Sequence, residues 1–158
     1  MWYLPLFNWF DHTRIGETIR ASTYLFPIIE CIHLLGMVML LGGLAVIDLR
    51  LLGLGMRRQP VSVVARGVEP VSLIGLIIML CTGTALFLSE AVKCYGNEGF
   101  HWKMYCLFPG LIVYFTIHRA VTRADEARIG RVWGKVVALL SLGLWFGVAL
   151  GGRAIGFV

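Results

Sequence analysis

The residues whose types could support chemistry lie on one face of the apolar stretch from Ala21 to Leu52. Four polar or sulfur-containing side chains recur there at helical spacing: Glu30, His33, Met37 and Asp48. At about 100° per residue they share one side of an α-helix. The stretch is long enough to cross a bilayer, which takes roughly 20 residues. Because lipid cannot solvate a carboxylate or an imidazole, this face is predicted to look into protein or water.

Composition is typical of a polytopic membrane protein. The chain is 58% hydrophobic and only 15% charged, with a mean hydropathy of +0.81, unlike a soluble domain. Apolar runs long enough to span occur at about residues 24–49, 70–89, 104–121 and 134–154. No signal-peptide pattern precedes the first run, so the first run itself is expected to target the chain to the membrane. We predict an all-α fold with a single transmembrane domain of residues 1–158, a four-helix transmembrane bundle preceded by an N-terminal interfacial helix.

The distribution of basic residues predicts the topology. Nine of them lie in the connections between spans one and two and between spans three and four, and five lie on the other side. By the positive-inside rule both termini then face outward, which in a bacterial inner membrane means the periplasm. The net charge of +5 therefore does not indicate nucleic-acid binding. The expected partners are the lipid bilayer and other membrane-protein subunits or further copies of this chain.

This topology places two groups of polar side chains at opposite depths. The first, here called the His33 cluster, is on the periplasmic side and contains His33, Glu30, Met37 and Arg153, with Lys103 and Glu90 as further candidates. The second, the Asp48 cluster, is the inner polar cluster of Asp48, Arg50 and His118. At about 1.5 Å per residue the two histidines differ in depth by about 15–20 Å. A single haem bound by both is therefore incompatible with this topology, since each imidazole must reach within about 2 Å of one iron.

Two interpretations of the His33 cluster stay open. In the first, His33 binds a b-type haem or hydrogen-bonds a quinone, and Glu30 orients its ring. Met37 or Met79 is then a second ligand, and Arg153 or Lys103 pairs with anionic groups. The spacing of Glu30 and His33 is one that metal sites in helical bundles use. In the second interpretation, Glu30 and Arg153 form an ion pair that joins helices one and four.

Three functions follow from these alternatives. The first is a small membrane subunit of a redox or electron-transfer system with a haem or quinone at the His33 cluster. The second is a cofactor-free accessory or structural subunit of a larger membrane complex, favoured by small-residue seams in span four. The third is a copper or metal transporter-like protein, for which few soft ligands lie mid-membrane: Met37, Met39, Met79 and Cys81.

Two further questions are left open by the residues. Whether the chain is an enzyme is undecided, because it has no phosphate loop, serine elbow, CxxC or HExxH motif. Cys94 and Cys106 both fall at the outer end of the second hairpin. They are either a disulfide, which an oxidising periplasm permits, or two free thiols.

The chain also resembles a known family. The resemblance lies in the segment FPIIECIHLLGMVMLLGGLAVIDLRLLGLG, in TIHR at the end of span three and in GRAIGF near the C-terminus. In these segments the chain resembles a family of small four-helix bacterial inner-membrane proteins known only as a domain of unknown function. A histidine-bearing first helix followed by glycine-rich packing is also distantly similar to the copper-resistance D and membrane protoporphyrinogen oxidase-like families. That second resemblance implies copper handling or haem chemistry.

Overall fold

Seven helices account for nearly all of the chain in a computed structural model that describes residues 4–56, 58–124 and 130–157, apart from the side chains of Leu4, Arg131 and Phe157. They are α1 (Leu4–Asp11), α2 (Arg14–Ala21), α3 (Leu25–Leu52), α4 (Val61–Ser89), α5 (Ala91–Gly96), α6 (Glu98–Arg123) and α7 (Arg131–Ala154), which ends in a 3-10 turn, Ile155–Phe157. No strand occurs within the described ranges. The predicted all-α fold is confirmed.

Four of these helices are long and apolar enough to cross a membrane. Their mean hydropathies are 2.1 for α3, 2.4 for α4, 1.3 for α6 and 1.7 for the Val132–Ala154 part of α7. Large aliphatic side chains such as Val38, Ile77, Ile112 and Leu139 cover the outside of the bundle and are more than half exposed. An outer surface of this kind is stable in lipid and not in water.

Small residues let the long helices pack in two close pairs, α3 with α4 and α6 with α7. A β-carbon on Gly43 would stand 2.0 Å from the Ser72 hydroxyl oxygen, and one on Gly151 would stand 2.8 Å from the Lys103 amide nitrogen. Close backbone approach is the main source of helix association in membranes. The pairs meet along α3 and α7 around one core: Leu40, Leu44, Leu76, Met79, Tyr114, Trp145 and Val148.

The predicted single N-terminal helix is two short helices that pack on the end of α4. The chain breaks at Thr13, whose hydroxyl oxygen accepts a hydrogen bond from the Gly16 amide and caps α2. Arg20 donates to the Ser89 carbonyl oxygen at 2.8 Å and forms an ion pair with Asp11 at 2.8 Å. Arg20 therefore ties α1 and α2 to the C-terminal end of α4.

Two predicted helix boundaries are wrong. Span two was expected from about residue 70, but α4 begins at Val61 and continues through Pro70. A proline removes one backbone hydrogen bond and its ring crowds the preceding turn, and the packing of α4 on α3 outweighs that cost. Span three was expected from about residue 104, but α6 begins at Glu98, because Asn97 caps it by accepting from the Phe100 amide at 3.1 Å.

Candidate functional site

The His33 ring lies between α3 and α4. Its Nδ1 atom is 2.9 Å from the Thr82 hydroxyl oxygen, and the Met79 backbone is a further partner of the ring. Gly83 makes room for this placement, since a β-carbon there would stand only 3.1 Å from the His33 Cε1 atom. Thr82 and Gly83 thus shape the wall of α4 against which the imidazole rests.

The hydrogen bonds of Thr82 favour one tautomer of His33. The Thr82 hydroxyl donates to the Ile78 carbonyl oxygen at 2.6 Å. A hydroxyl has one proton, so its oxygen is left to accept from His33 Nδ1–H. Nε2 then carries the lone pair of the neutral ring. Histidines that bind metals or abstract protons are commonly held in this way through their other nitrogen.

Lys103 brings a positive charge towards this ring from α6. Its ammonium group is close enough to His33 to interact electrostatically. Its Nζ atom would lie 3.8 Å from a β-carbon on Gly152. None of the ion pairs among the described residues includes Lys103. The arrangement therefore offers one imidazole lone pair and one ammonium group to a ligand.

The other predicted members of the His33 cluster are not all brought together. Met37 is half-buried against the core one turn beyond His33. Glu30 is exposed on α3, and Arg153 is exposed on α7. Both side chains are described, and the ion pair predicted between them is not formed. Glu90 pairs instead with Lys93 at 2.8 Å.

The Asp48 cluster is a buried pair. His118 Nε2 lies 2.9 Å from Asp48 Oδ1, and the two side chains are only 2% and 0% exposed. Arg50 instead donates from Nε to the Gln59 carbonyl oxygen at 2.7 Å. Asp48 lies fifteen residues beyond His33 on α3, so about 22 Å of helix separates them. His118 is therefore beside Asp48 and far from His33, as the predicted depths require.

Sequence reasoning missed three residues around these clusters. Thr82 lies within span two, where its small size favours a packing role. Tyr114 lies within span three, and its buried hydroxyl has no hydrogen-bond partner in the described structure. Glu69 fell in the predicted loop and instead pairs with Arg119 and Arg123 of α6.

The four cysteines are all free thiols. Cys106 lies against Gly147, where a β-carbon would stand 2.7 Å from its sulfur, while Cys94 is buried in α5. Burial raises the pKa of the Cys94 thiol to about 11. No group of three or more histidine, cysteine or acidic side chains placed to bind a metal ion occurs in the described part of the chain.

Fold and clusters together define an all-helical protein of the membrane-spanning type, with four apolar helices and two separate sets of ionisable residues inside them. Residues 6–158 match the model of a protein family of unknown function, DUF6644, and the chain belongs to that family. The predicted resemblance to a family of unknown function is thereby confirmed. Neither the curated proteins nor the solved structures contain a match.

Proposed function

We propose that this protein is a small integral membrane subunit of a redox or electron-transfer system that binds a quinone or a b-type haem at the His33 cluster. The observation that carries the proposal is the hydrogen bond between His33 Nδ1 and Thr82. It fixes the tautomer and leaves the Nε2 lone pair for a ligand. An ionisable side chain inside a membrane is costly enough to suggest a functional role.

The residues fit a quinone more fully than a haem. For a haem, His33 Nε2 would be an axial ligand and Lys103 the partner of a propionate. Met37 follows His33 by one turn on the same helix and cannot reach the opposite face of a planar group bound by His33. A quinol requires an acceptor for one hydroxyl and a donor for its other oxygen, which would be His33 Nε2 and the Lys103 ammonium group; on the oxidised quinone, Lys103 would donate to a carbonyl oxygen.

The roles of the side chains follow from these positions. Oxidation of a bound quinol would release two protons and two electrons, the electrons passing to the redox system of which the protein is a subunit. His33 Nε2 would accept one proton, from the hydroxyl bonded to it, and the second would leave to water. The Thr82 oxygen keeps the ring in place as it becomes charged, because Nδ1–H remains a donor. Glu30 is exposed one turn before His33 on α3, where a carboxylate can pass the proton to water.

The cellular location is part of the same proposal. Four apolar helices support a multi-pass membrane protein, and the distribution of basic residues favours a bacterial inner membrane with both termini in the periplasm. Reporter fusions at Arg58 and after Arg128, which lies outside the described residues, are expected to report the cytoplasm. A periplasmic signal at either position would contradict this orientation.

The decisive experiment measures binding in purified protein reconstituted in lipid nanodiscs. Decylubiquinone and haem b are titrated separately, followed by quenching of tryptophan fluorescence and by the Soret band. His33→Ala is expected to weaken binding at least about tenfold, the usual effect of losing a fixed ligand or its support. The matched control is His101→Ala, because His101 is an exposed histidine on α6.

Each outcome discriminates between the functions. Saturable binding of either compound that His33→Ala weakens and His101→Ala does not supports the redox proposal and identifies the cofactor. Absence of binding by both compounds contradicts it and favours an accessory subunit, for which the exposed Gly143 on α7 offers a place for another helix to approach. Binding of copper ions instead would favour the metal-transporter alternative.

A further inference from the structure

The Asp48–His118 pair is a titratable site that the proposed redox function does not use. Asp48 Oδ1 meets His118 Nε2, while the second carboxylate oxygen, Oδ2, is buried without a hydrogen-bond partner among the described residues. Oδ2 thus lacks the hydrogen bond that a buried polar oxygen ordinarily has. A buried oxygen without a hydrogen-bond partner destabilises the folded state.

Tyr114 connects this pair to a second charged group. Its ring lies 5.9 Å from the ring of His118, and its hydroxyl is also buried without a partner in the described structure. The same hydroxyl is within electrostatic range of the Glu69 carboxylate. Tyr114 and His118 are the first and last residues of a π-helical turn inside α6. Such turns are rare and frequently occur at functional sites.

Glu69 in turn borders a cleft at the end of the bundle. The cleft has a volume of about 240 Å³ and is lined by Ser62, Ala65, Arg66, Glu69, Thr122 and Arg123. It is polar and large enough for several waters. The cleft therefore gives water access to Glu69, whose carboxylate is within electrostatic range of the Tyr114 hydroxyl.

The opposite side of Asp48 offers no comparable route. A cavity of about 170 Å³ lies there between α3 and α7, lined by Leu41, Leu44, Ala45, Asp48, Leu142, Trp145 and Phe146. Six of its seven lining residues are apolar, and cavities of this kind stay dry. Water can therefore approach Asp48 more readily from the Glu69 side.

We propose that Asp48 and His118 form a proton-binding site inside the membrane bundle, loaded from the cleft beside Glu69 through the Tyr114 hydroxyl. A hydronium ion in the cleft gives up one proton and becomes water, and the Tyr114 hydroxyl passes on its own proton and regains that one. The arriving proton is shared by Asp48 and His118, which changes the pair from a net charge of −1 to neutral. No electron transfer or covalent bond to carbon is involved, and the site is independent of His33.

The charged groups around the pair are consistent with a single titrating site. On α3 the nearest is Arg50, which bonds to the Gln59 carbonyl. On α4 and α6 they are Arg66 and the Glu69 network with Arg119 and Arg123. The part of α7 that packs here contributes the uncharged Ser141 and Trp145.

Infrared difference spectroscopy of the full chain in lipid vesicles tests the site directly. Samples are compared between about pH 4 and about pH 9, a range that brackets the ordinary pKa values of aspartate and histidine. We expect a band from a protonated carboxyl in apolar surroundings that grows on acidification and shifts when aspartate is labelled with ¹³C. The chain has three aspartates, Asp11, Asp48 and Asp125. Asp48→Asn is expected to remove the band, and the surface variant Asp11→Asn to retain it.

The pathway is tested by the rate at which the band appears after a pH jump. Tyr114→Phe is expected to keep the full amplitude but to slow its appearance by about 100-fold, as for loss of a positioned proton donor. The matched control is Tyr105→Phe, an exposed tyrosine on the same helix. The proposal is overturned if labelled wild-type protein shows no such band, if the band survives Asp48→Asn, or if Tyr114→Phe responds at the wild-type rate. Should Asp48→Asn fail to fold, the labelled double variant Asp11→Asn with Asp125→Asn decides the first question, because Asp48 is then the one remaining aspartate of the sequence.

Discussion

Gly75 of α4 lies directly against Gly36 of α3. A β-carbon on Gly75 would stand 2.7 Å from the Gly36 carbonyl oxygen and 2.7 Å from the Leu40 amide nitrogen. Those atoms belong to the helix backbone and cannot move aside as a side-chain end can. This contact sets the distance between the two helices that hold the His33 ring between them.

Gly75→Ala is accordingly expected to destabilise the bundle by about 1–3 kcal/mol, the usual effect of overpacking. The free energy of unfolding can be measured by a reversible SDS titration in mixed micelles. Gly67→Ala on the same helix is the control, because Gly67 is exposed and has nothing within 4 Å of a new β-carbon. There the substitution should be neutral or stabilising by up to about 1 kcal/mol, from helix propensity. Equal effects at the two positions would contradict the close contact.

Thr82→Val tests the hydrogen bond that orients His33. Valine keeps the shape of threonine but removes the oxygen that accepts from His33 Nδ1. We expect a loss of about 0.5–1.5 kcal/mol in stability and about 10–100-fold weaker binding of the cofactor. Thr82→Ser, which keeps the hydroxyl, should restore most of both. Binding is measured by the same titration of decylubiquinone and haem b.

The control for that prediction is Thr84→Val. Thr84 is exposed on the same helix, and its hydroxyl donates to the Leu80 carbonyl oxygen. Its loss should leave ligand binding unchanged. If the two valine variants behave alike, Thr82 acts only through its bulk and the assigned tautomer of His33 is wrong.

Much of this arrangement could be predicted from hydrophobic periodicity. The helical wheel correctly placed Asp48 and His33 on the protected side of α3, and the predicted depths correctly placed His118 beside Asp48 and Lys103 near His33. These predictions succeeded because lipid excludes polar groups, so a helix orientation that points a polar side chain into lipid is strongly disfavoured.

The predictions for Glu30 and Glu69 show where periodicity is insufficient. Glu30 shares the azimuth of Asp48 on the helical wheel, yet it is exposed, whereas Asp48 is fully buried. Around Asp48, α3 meets His118 of α6 and Trp145 of α7. Glu69 precedes Pro70, which sequence rules treat as a helix break. Its pairing with Arg119 depends on a helix–helix contact that no local pattern contains.

Cys94 is expected to react slowly with iodoacetamide. Its thiol has a pKa of about 11 instead of 9.0, because burial disfavours the thiolate, which is the reactive form. At about pH 8 the thiolate fraction is then ~100-fold lower than in an exposed cysteine. Modification of the Cys94 peptide is followed by mass spectrometry, and SDS-unfolded protein provides the ordinary rate.

The reaction rate of Cys94 and the free energy of unfolding should change with pH in opposite directions. The reaction rate of folded Cys94 should keep rising up to about pH 11, whereas the unfolded thiol levels off near pH 9. Between these values the unfolded state binds fewer protons, so the free energy of unfolding falls as pH rises. A Cys94 peptide that becomes reactive only after reduction would instead reveal a disulfide and contradict the free thiols.

The final prediction compares the two histidines. His118→Ala leaves the fully buried Asp48 carboxylate without its partner, and breaking a buried pair costs about 3–5 kcal/mol. His33→Ala removes a half-buried ring with one side-chain hydrogen bond, so its cost should be about 0.5–1.5 kcal/mol. Replacing both members of the buried pair, Asp48→Leu with His118→Leu, should recover most of the stability lost in His118→Ala.

Ligand binding should be weakened more by His33→Ala than by His118→Ala, the opposite of the order for stability. About 22 Å of α3 separates His33 from Asp48, and His118 lies at the Asp48 end. His118→Ala is less stable but should still be folded under native conditions, and it should therefore retain the haem or quinone signal that His33→Ala loses. SDS titration and the optical titration on the same preparations give both quantities. If both single variants abolish one haem spectrum while remaining folded, the two histidines bind the same iron, and the separation of the His33 and Asp48 clusters is wrong.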